Sequence, residues 1–142
     1  MYNREFTPEQ ITVLGENEIF VFGSNLEGRH AGGAARLARR SFGAIMGQGV
    51  GLQGNSYAIP TMQGGVETIR PYVDKFVAFA KEHCDLRFYV TKIGCGIAGF
   101  SVWDIAPLFA DAEYISIYTR STLPTNMPTA PTRAIVPSER FL

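Results

Sequence analysis

Cysteine is scarce in this chain: Cys84 and Cys95 are the only two among 142 residues. That is too few for a disulfide framework or a thiolate-built zinc site. No HExxH, CxxC or clustered His/Asp pattern offers a metal site by another route, so no metal is expected. Net charge is missing as well, because 13 basic and 13 acidic side chains cancel. A chain built to coat nucleic acid carries a basic excess, so nucleic acid is not an expected partner. A small anionic ligand stays compatible, since local charge decides that. No apolar run approaches the ~20 residues of a membrane span, and no membrane partner is expected. No basic start leads into an apolar run, so no signal peptide is expected either. Together with two free thiols, this predicts a cytoplasmic protein. The GxSxG of an α/β-hydrolase elbow is also absent.

What is present is an ordinary globular composition, 46% apolar and 18% charged. The length suits a single domain over residues 1–142 with one sizeable core. Residues 18–22 (EIFVF) and 56–60 (SYAIP) read as short buried strands, and 87–93 (RFYVTKI) and 114–119 (YISIYT) as two more. A helix is expected from Gly32–Gly33 onward, with Ala34, Leu37, Ala38 and Phe42 as its apolar stripe and Gly43 at its end. Residues 67–83 give the clearest helix, with Pro71 tolerated in its first turn. A third helix follows Gly99. Ser101 or Asp104 can cap it, and Asp104 fits better because Pro107 then falls in the first turn. Residues 43–54 hold five glycines and read as a loop that still packs. From residue 121 three prolines and four threonines in thirteen residues read as an extended, exposed connection, with an edge strand near 134–136. The domain core is therefore expected over about 18–119, with a Pro/Thr-rich extension over 121–142. Alternating strands and helices predict an α/β fold with a parallel or mixed sheet covered on both faces.

Two glycine-rich loops carry the functional signal. Each follows a strand and leads into a helix, an order that presents bare backbone N–H groups and a helix N-terminus to an anion, usually a phosphate. In open α/β sheets ligands bind beyond the carboxyl ends of strands, and both loops lie there. The second loop, GCGIAG, matches G-x-G-x-x-G, yet no acid follows about 20 residues on and the motif comes late in the chain. A standard hydride-transfer dehydrogenase is rejected on those grounds, and the phosphate cradle is kept. In the first loop Arg29 and His30 are placed to reach a ligand, and the Asn25 amide suits a ribose diol. Arg36, Arg39 and Arg40 read as a solvated helix face. Ser24 and Cys95 are the nucleophile candidates, but neither has a histidine at a telling position. Cys95, between two glycines, reads as a small space-filler.

The stretch KIGCGIAGFSVWDIAPLF resembles the second ligand loop of macrodomains, in which a strand ends in a P-R-I-G-C-G-L type motif and a W-x-x-I/V helix follows. FGSNLEGRHAGGAARLARRSFG looks like the first loop of that family. The resemblance spans roughly residues 19–119, and its closest flavour is the compact ADP-ribosyl-glutamate hydrolase subgroup. It implies a three-layer α/β/α fold that binds ADP-ribose or a related NAD-derived nucleotide without metal or other cofactor. Asn25 and Gly32, Gly33 and Ala34 would line the ribose and pyrophosphate. Residues 94–100 would wrap the diphosphate and distal ribose. The full candidate ligand set is Gly23, Ser24, Asn25, Arg29, His30, Gly32, Gly33, Ala34, Gly94, Cys95, Gly96, Ile97, Ala98, Gly99 and Phe100. The subgroup has an aspartate where this chain has Ala98, and a lysine where the nearest equivalent is Thr61. Its family's adenine-reading acid has only Glu16 and Glu18 nearby here. Binding of the nucleotide is thus the first expectation, and no catalytic residue is assigned. One alternative is an ADP-ribosyl hydrolase or ADP-ribose phosphate phosphatase in the same pocket, with His30 or Glu27 acting on a water. Another is an assembly protein that lost the ligand and docks a protein partner through the 121–142 extension.

Overall fold

The computed structural model describes residues 11–109. In chain order the elements are β1 (Glu18–Ser24), α1 (Gly33–Ser41), β2 (Gly51–Gln53), β3 (Ser56–Pro60), a 3-10 turn (Val66–Thr68), α2 (Arg70–Glu82), β4 (Arg87–Val90) and α3 (Val102–Ile105). They form a mixed four-stranded sheet in the order β2-β3-β1-β4. The central strand β1 runs parallel to β3 and to β4, while β2 adds antiparallel to β3 at the edge. The mixed α/β class expected from the sequence is what the described residues show. The strands expected at 114–119 and 134–136, and the 121–142 extension, lie outside them. Among the described residues no helix is long and apolar enough to cross a membrane.

Side chains alternate across the sheet with a period of two, and the two faces bury separate clusters. Ile19 and Val21 of β1 join Tyr57, Ile59, Phe88 and Val90 on one face, packed against Val73, Phe76, Val77 and Ala80 of α2 and against Ile105. Phe20 and Phe22 point the other way, with Ala58, and meet Ala35 and Ala38 of α1 and Phe42 beyond it. Every residue of β3 is buried, as a central parallel strand requires. Each large apolar side chain fully withdrawn from water contributes roughly 1.5–3 kcal/mol before entropy is counted.

The helix expected over 67–83 divides into the 3-10 turn and α2, and four further differences from the sequence expectation have local reasons. β1 runs two residues further, because Gly23 and Ser24 pair with Ile59 and Pro60. β4 stops at Val90, because the chain turns just beyond it, the Ile93 N–H donating back to the Thr91 carbonyl at 2.8 Å. The loop at 43–54 ends in β2, a strand whose apolar Leu52 faces out and whose polar Gln53 faces in. Ser101, not Asp104, caps α3. Its hydroxyl accepts the Asp104 N–H at 3.3 Å while the Asp104 carboxylate accepts the Ser101 N–H at 3.1 Å, a reciprocal capping box. Pro107 then lies beyond the α-helical turns, which end at Ile105. Gly43 does close α1: it sits at φ 81°, and the Ala44 N–H turns back to the Ala38 carbonyl at 3.1 Å.

The sheet's edge away from the loops is tied by Glu18. Its carboxylate accepts the Gly15 N–H and the Tyr89 hydroxyl, each at 2.7 Å. Partial burial pushes this carboxyl up, but those two hydrogen bonds and the charge of Arg87 outweigh it and hold it below its usual value of 4.5. A carboxyl lowered on folding stabilises above its unfolded value and loses that contribution as pH falls through its folded one. Glu18→Gln is therefore expected to lower the urea midpoint at pH 7 by the equivalent of less than about 1 kcal/mol, solvent screening included. The gap from the unsubstituted protein should close in acid, below pH 4.5. A gap constant from pH 7 to pH 3 would contradict this ionic account.

Candidate functional site

A cavity of about 910 Å³ opens where β1, β3 and β4 end. Its lining comes from both glycine loops, the first turns of α1, the segment before β1 and the residues that follow β3 and β4. Such a volume is in the range of small-molecule sites, roughly 300–1,000 Å³.

The two loops meet at this cavity because glycine lets backbone approach backbone. A Cβ on Gly23 would lie 3.3 Å from the Gly94 nitrogen, so the second loop passes directly over the end of β1. Across the mouth, a Cβ on Gly32 would lie 3.8 Å from Cδ1 of Ile97. Ile97 itself is 84% exposed at the tip of the second loop.

Eleven of the fifteen candidate residues line the cavity: Gly23, Ser24, Asn25, Arg29, Gly32, Gly33, Ala34, Gly94, Gly96, Ile97 and Ala98. The other four sit outside the lining. Phe100 and Cys95 pack against the α2-side core. Gly99 closes a turn, its N–H donating to the Gly96 carbonyl at 3.0 Å.

His30 is fully buried, with its ring edge-on to Phe22 at 5.2 Å. Its Nε2 faces two acceptors, the Gln48 carbonyl at 3.0 Å and Gln53 Oε1 at 3.2 Å, so that nitrogen carries the proton. Nδ1 is left buried without a partner. This histidine braces the loop from behind.

Asn25 serves the loop as well. Its amide oxygen accepts the Arg29 N–H at 2.8 Å and its amide nitrogen donates to the Arg29 carbonyl at 3.3 Å. This pair of bonds closes the loop over residues 25–29. Ser24 is buried and donates its hydroxyl to the Gly49 carbonyl.

The electrostatics favour an anion. Among the described residues, the lining carries two cations, Arg29 and Lys92, and neither Asp nor Glu. Arg29 also reaches Glu27 at 3.3 Å, a pair so exposed that it holds Arg29 only weakly. Helix α1 begins at Gly33 with no side-chain cap and no acid in its first turn, and Gly32, Gly33, Ala34 and Ala35 line the cavity, so its positive dipole end lies there. Neither Glu16 nor Glu18 is part of the lining.

Several lining residues escaped the sequence reading. The apolar positions of α1 divide: Ala38 packs on the sheet, whereas Leu37 turns toward the cavity beside Ile11 and Phe20. Thr61, Thr91 and Lys92 enter because they are the first residues beyond the carboxyl ends of β3 and β4. Strand-end position was the signal that could have found them. Arg36, Arg39 and Arg40 are all exposed, as a solvated face should be.

Burial pushes the Cys95 thiol up to about 11, with Lys92 pulling it down and Asp104 pushing it further up. At pH 8 only about one molecule in a thousand then carries the thiolate, the form that reacts. Iodoacetamide at pH 8 is expected to label the exposed Cys84 at least tenfold faster than Cys95, read by peptide mass spectrometry. Faster labelling of Cys95 would mean that the thiol is activated.

No family model, curated protein or solved structure matches the chain.

Proposed function

We propose that this cavity binds ADP-ribose or a closely related NAD-derived nucleotide, and that the chain is a three-layer, macrodomain-like binding module. The observation that carries the reading is one juxtaposition. The uncapped first turn of α1 and the backbone of the second loop share a cavity whose lining, among the described residues, holds two cations and no carboxylate. Oriented N–H groups at a helix start and in a glycine turn suit a diphosphate. Ile11, Phe20 and Leu37 supply an apolar wall for a base. The resemblance of both loops to those of macrodomains points to the same ligand.

Turnover has less support than binding. Among the described residues, the lining contains no Asp, Glu, His or Cys to serve as a base or nucleophile. His30 is buried behind the loop, and Glu27 is exposed beside Arg29. Ala98 and Thr61, which stand where the hydrolase subgroup has its aspartate and lysine, both line the cavity.

Isothermal titration with ADP-ribose, with AMP and NAD as comparators, tests the proposal. ADP-ribose is expected to bind tightest. No heat with any of the three, together with an unshifted melting curve, would reject the reading and bring the assembly role forward.

A further inference from the structure

Acids and bases cancel in number along this chain but not in place. Its 13 acidic side chains all lie outside residues 28–66. That stretch, between Glu27 and Glu67, holds Arg29, Arg36, Arg39 and Arg40 instead. Three of these stand on α1 at i, i+3 and i+4, and so within about 100° of its circumference. All three are exposed, and none of them lines the cavity.

A solvated face needs polar side chains, but it does not need a single sign of charge. Like charges at i,i+3 and i,i+4 repel and weaken a helix. The helix dipole offsets this only for Arg39 and Arg40, in the last turn. Among the described residues no carboxylate pairs with any of the three. Glu27 reaches Arg29, and Glu18 is bonded to Gly15 and Tyr89. Asp74 and Glu82 belong to α2, which packs on the opposite face of the sheet. The three arginines thus present an unmatched charge to whatever approaches α1 from outside.

We propose that this face of α1 docks an acidic segment of a partner protein. The spacing fits, because Arg36 and Arg40 are separated by a rise of about 6 Å. Side chains on one face of an extended segment recur at about 6.6 Å, so carboxylates two residues apart match that rise. Guanidinium forks take carboxylates through paired hydrogen bonds. A nucleic acid fits less well. Three arginines would neutralise only about three phosphates, which leaves binding weak at physiological salt, and the chain has no net charge to add. An exposed ion pair changes affinity by roughly 1.4- to fivefold, so three together reach up to about a hundredfold. That suits a contact which steers and aligns a partner.

The test is a chemical-shift titration of the isotope-labelled protein with an octapeptide of alternating glutamate and serine. At about 25 mM salt the peptide should give saturable shifts along residues 36–41, with affinity at least tenfold weaker at about 300 mM. The triple variant Arg36→Gln, Arg39→Gln, Arg40→Gln should weaken the peptide at least tenfold. The corresponding triple lysine variant keeps the charge and should stay within about threefold of the unsubstituted protein. Absence of shifts along α1, shifts that survive the glutamine variant, or equal shifts with an octapeptide of alternating lysine and serine would each overturn the proposal. So would tighter binding of a thymidine oligonucleotide or of phosphatidylserine vesicles to α1 at the same salt, since either would give the face to another class of partner.

Discussion

Gly96→Asp is expected to abolish ADP-ribose binding, with a loss of at least about 100-fold, or roughly 2.7 kcal/mol, while the melting temperature stays where it was. The position allows this separation. A Cβ on Gly96 meets nothing within 4 Å, and its φ lies outside the left-handed region, unlike Gly94 and Gly99 at 74° and 81°. An aspartate there fits sterically and adds a negative charge to the cavity lining, where the proposed ligand would bring its diphosphate. Gly96→Ala separates charge from size and should bind nearly as the unsubstituted protein does. The neighbouring glycine gives the opposite result, since a Cβ on Gly94 would lie 3.0 Å from Ile105 on a backbone that L-residues rarely adopt. Full affinity in Gly96→Asp would remove the second loop from the site.

Phe76→Ala is expected to have the largest effect on stability, about 3–5 kcal/mol. Phe76 is fully buried on the face of α2 that meets the sheet. Its ring stands edge-on to Tyr57 at 5.0 Å, Phe88 at 5.3 Å and Phe109 at 6.3 Å, so it joins β3, β4 and the segment after α3. Removing it leaves a cavity that three rings cannot close without leaving their rotamers. Calorimetry should show the midpoint falling by roughly 10–20 °C for a chain of this size. Phe79 is a useful contrast. It is only partly buried and stacks on His83 at 4.0 Å near the helix end, so Phe79→Ala should cost less. A loss below about 1 kcal/mol for Phe76→Ala would show that the ring cluster is not the centre of the core.

The sequence made the central strands and the principal helix legible because there burial and local pattern agree. Residues 18–22 and 56–60 are continuous apolar runs, and both proved to be inner strands of the sheet. Strand β2 was hidden because its pattern is inverted: Leu52 is 44% exposed, and Gln53 is 2% exposed. The buried amide of Gln53 is satisfied by groups that no sequence pattern marks, accepting from the Ile45 N–H and from His30 Nε2 and donating to the Gln48 and Gly51 carbonyls. The glycine loops were legible because glycine spacing after a strand has a steric meaning. The place of Thr91 in the lining was not, since it reads as part of the strand expected over 87–93 until pairing shows that β4 ends at Val90. His30 misled for a related reason. A histidine within a ligand loop invites a ligand role, and only packing shows the ring turned inward onto Phe22.

Those inward bonds have a consequence for how a ligand arrives. Ser24 to Gly49, Asn25 to Arg29 and His30 to Gln48 and Gln53 fix the first loop from within. None of them needs an occupant. The loop's ordering entropy is thus settled when the chain folds, and for the proposed nucleotide the cavity would be preorganised. Association should then be a single bimolecular step that rises linearly with ligand concentration, with no slower rearrangement behind it. The heat-capacity change on binding should match the apolar area covered by one nucleotide, and carry no added signature of coupled folding.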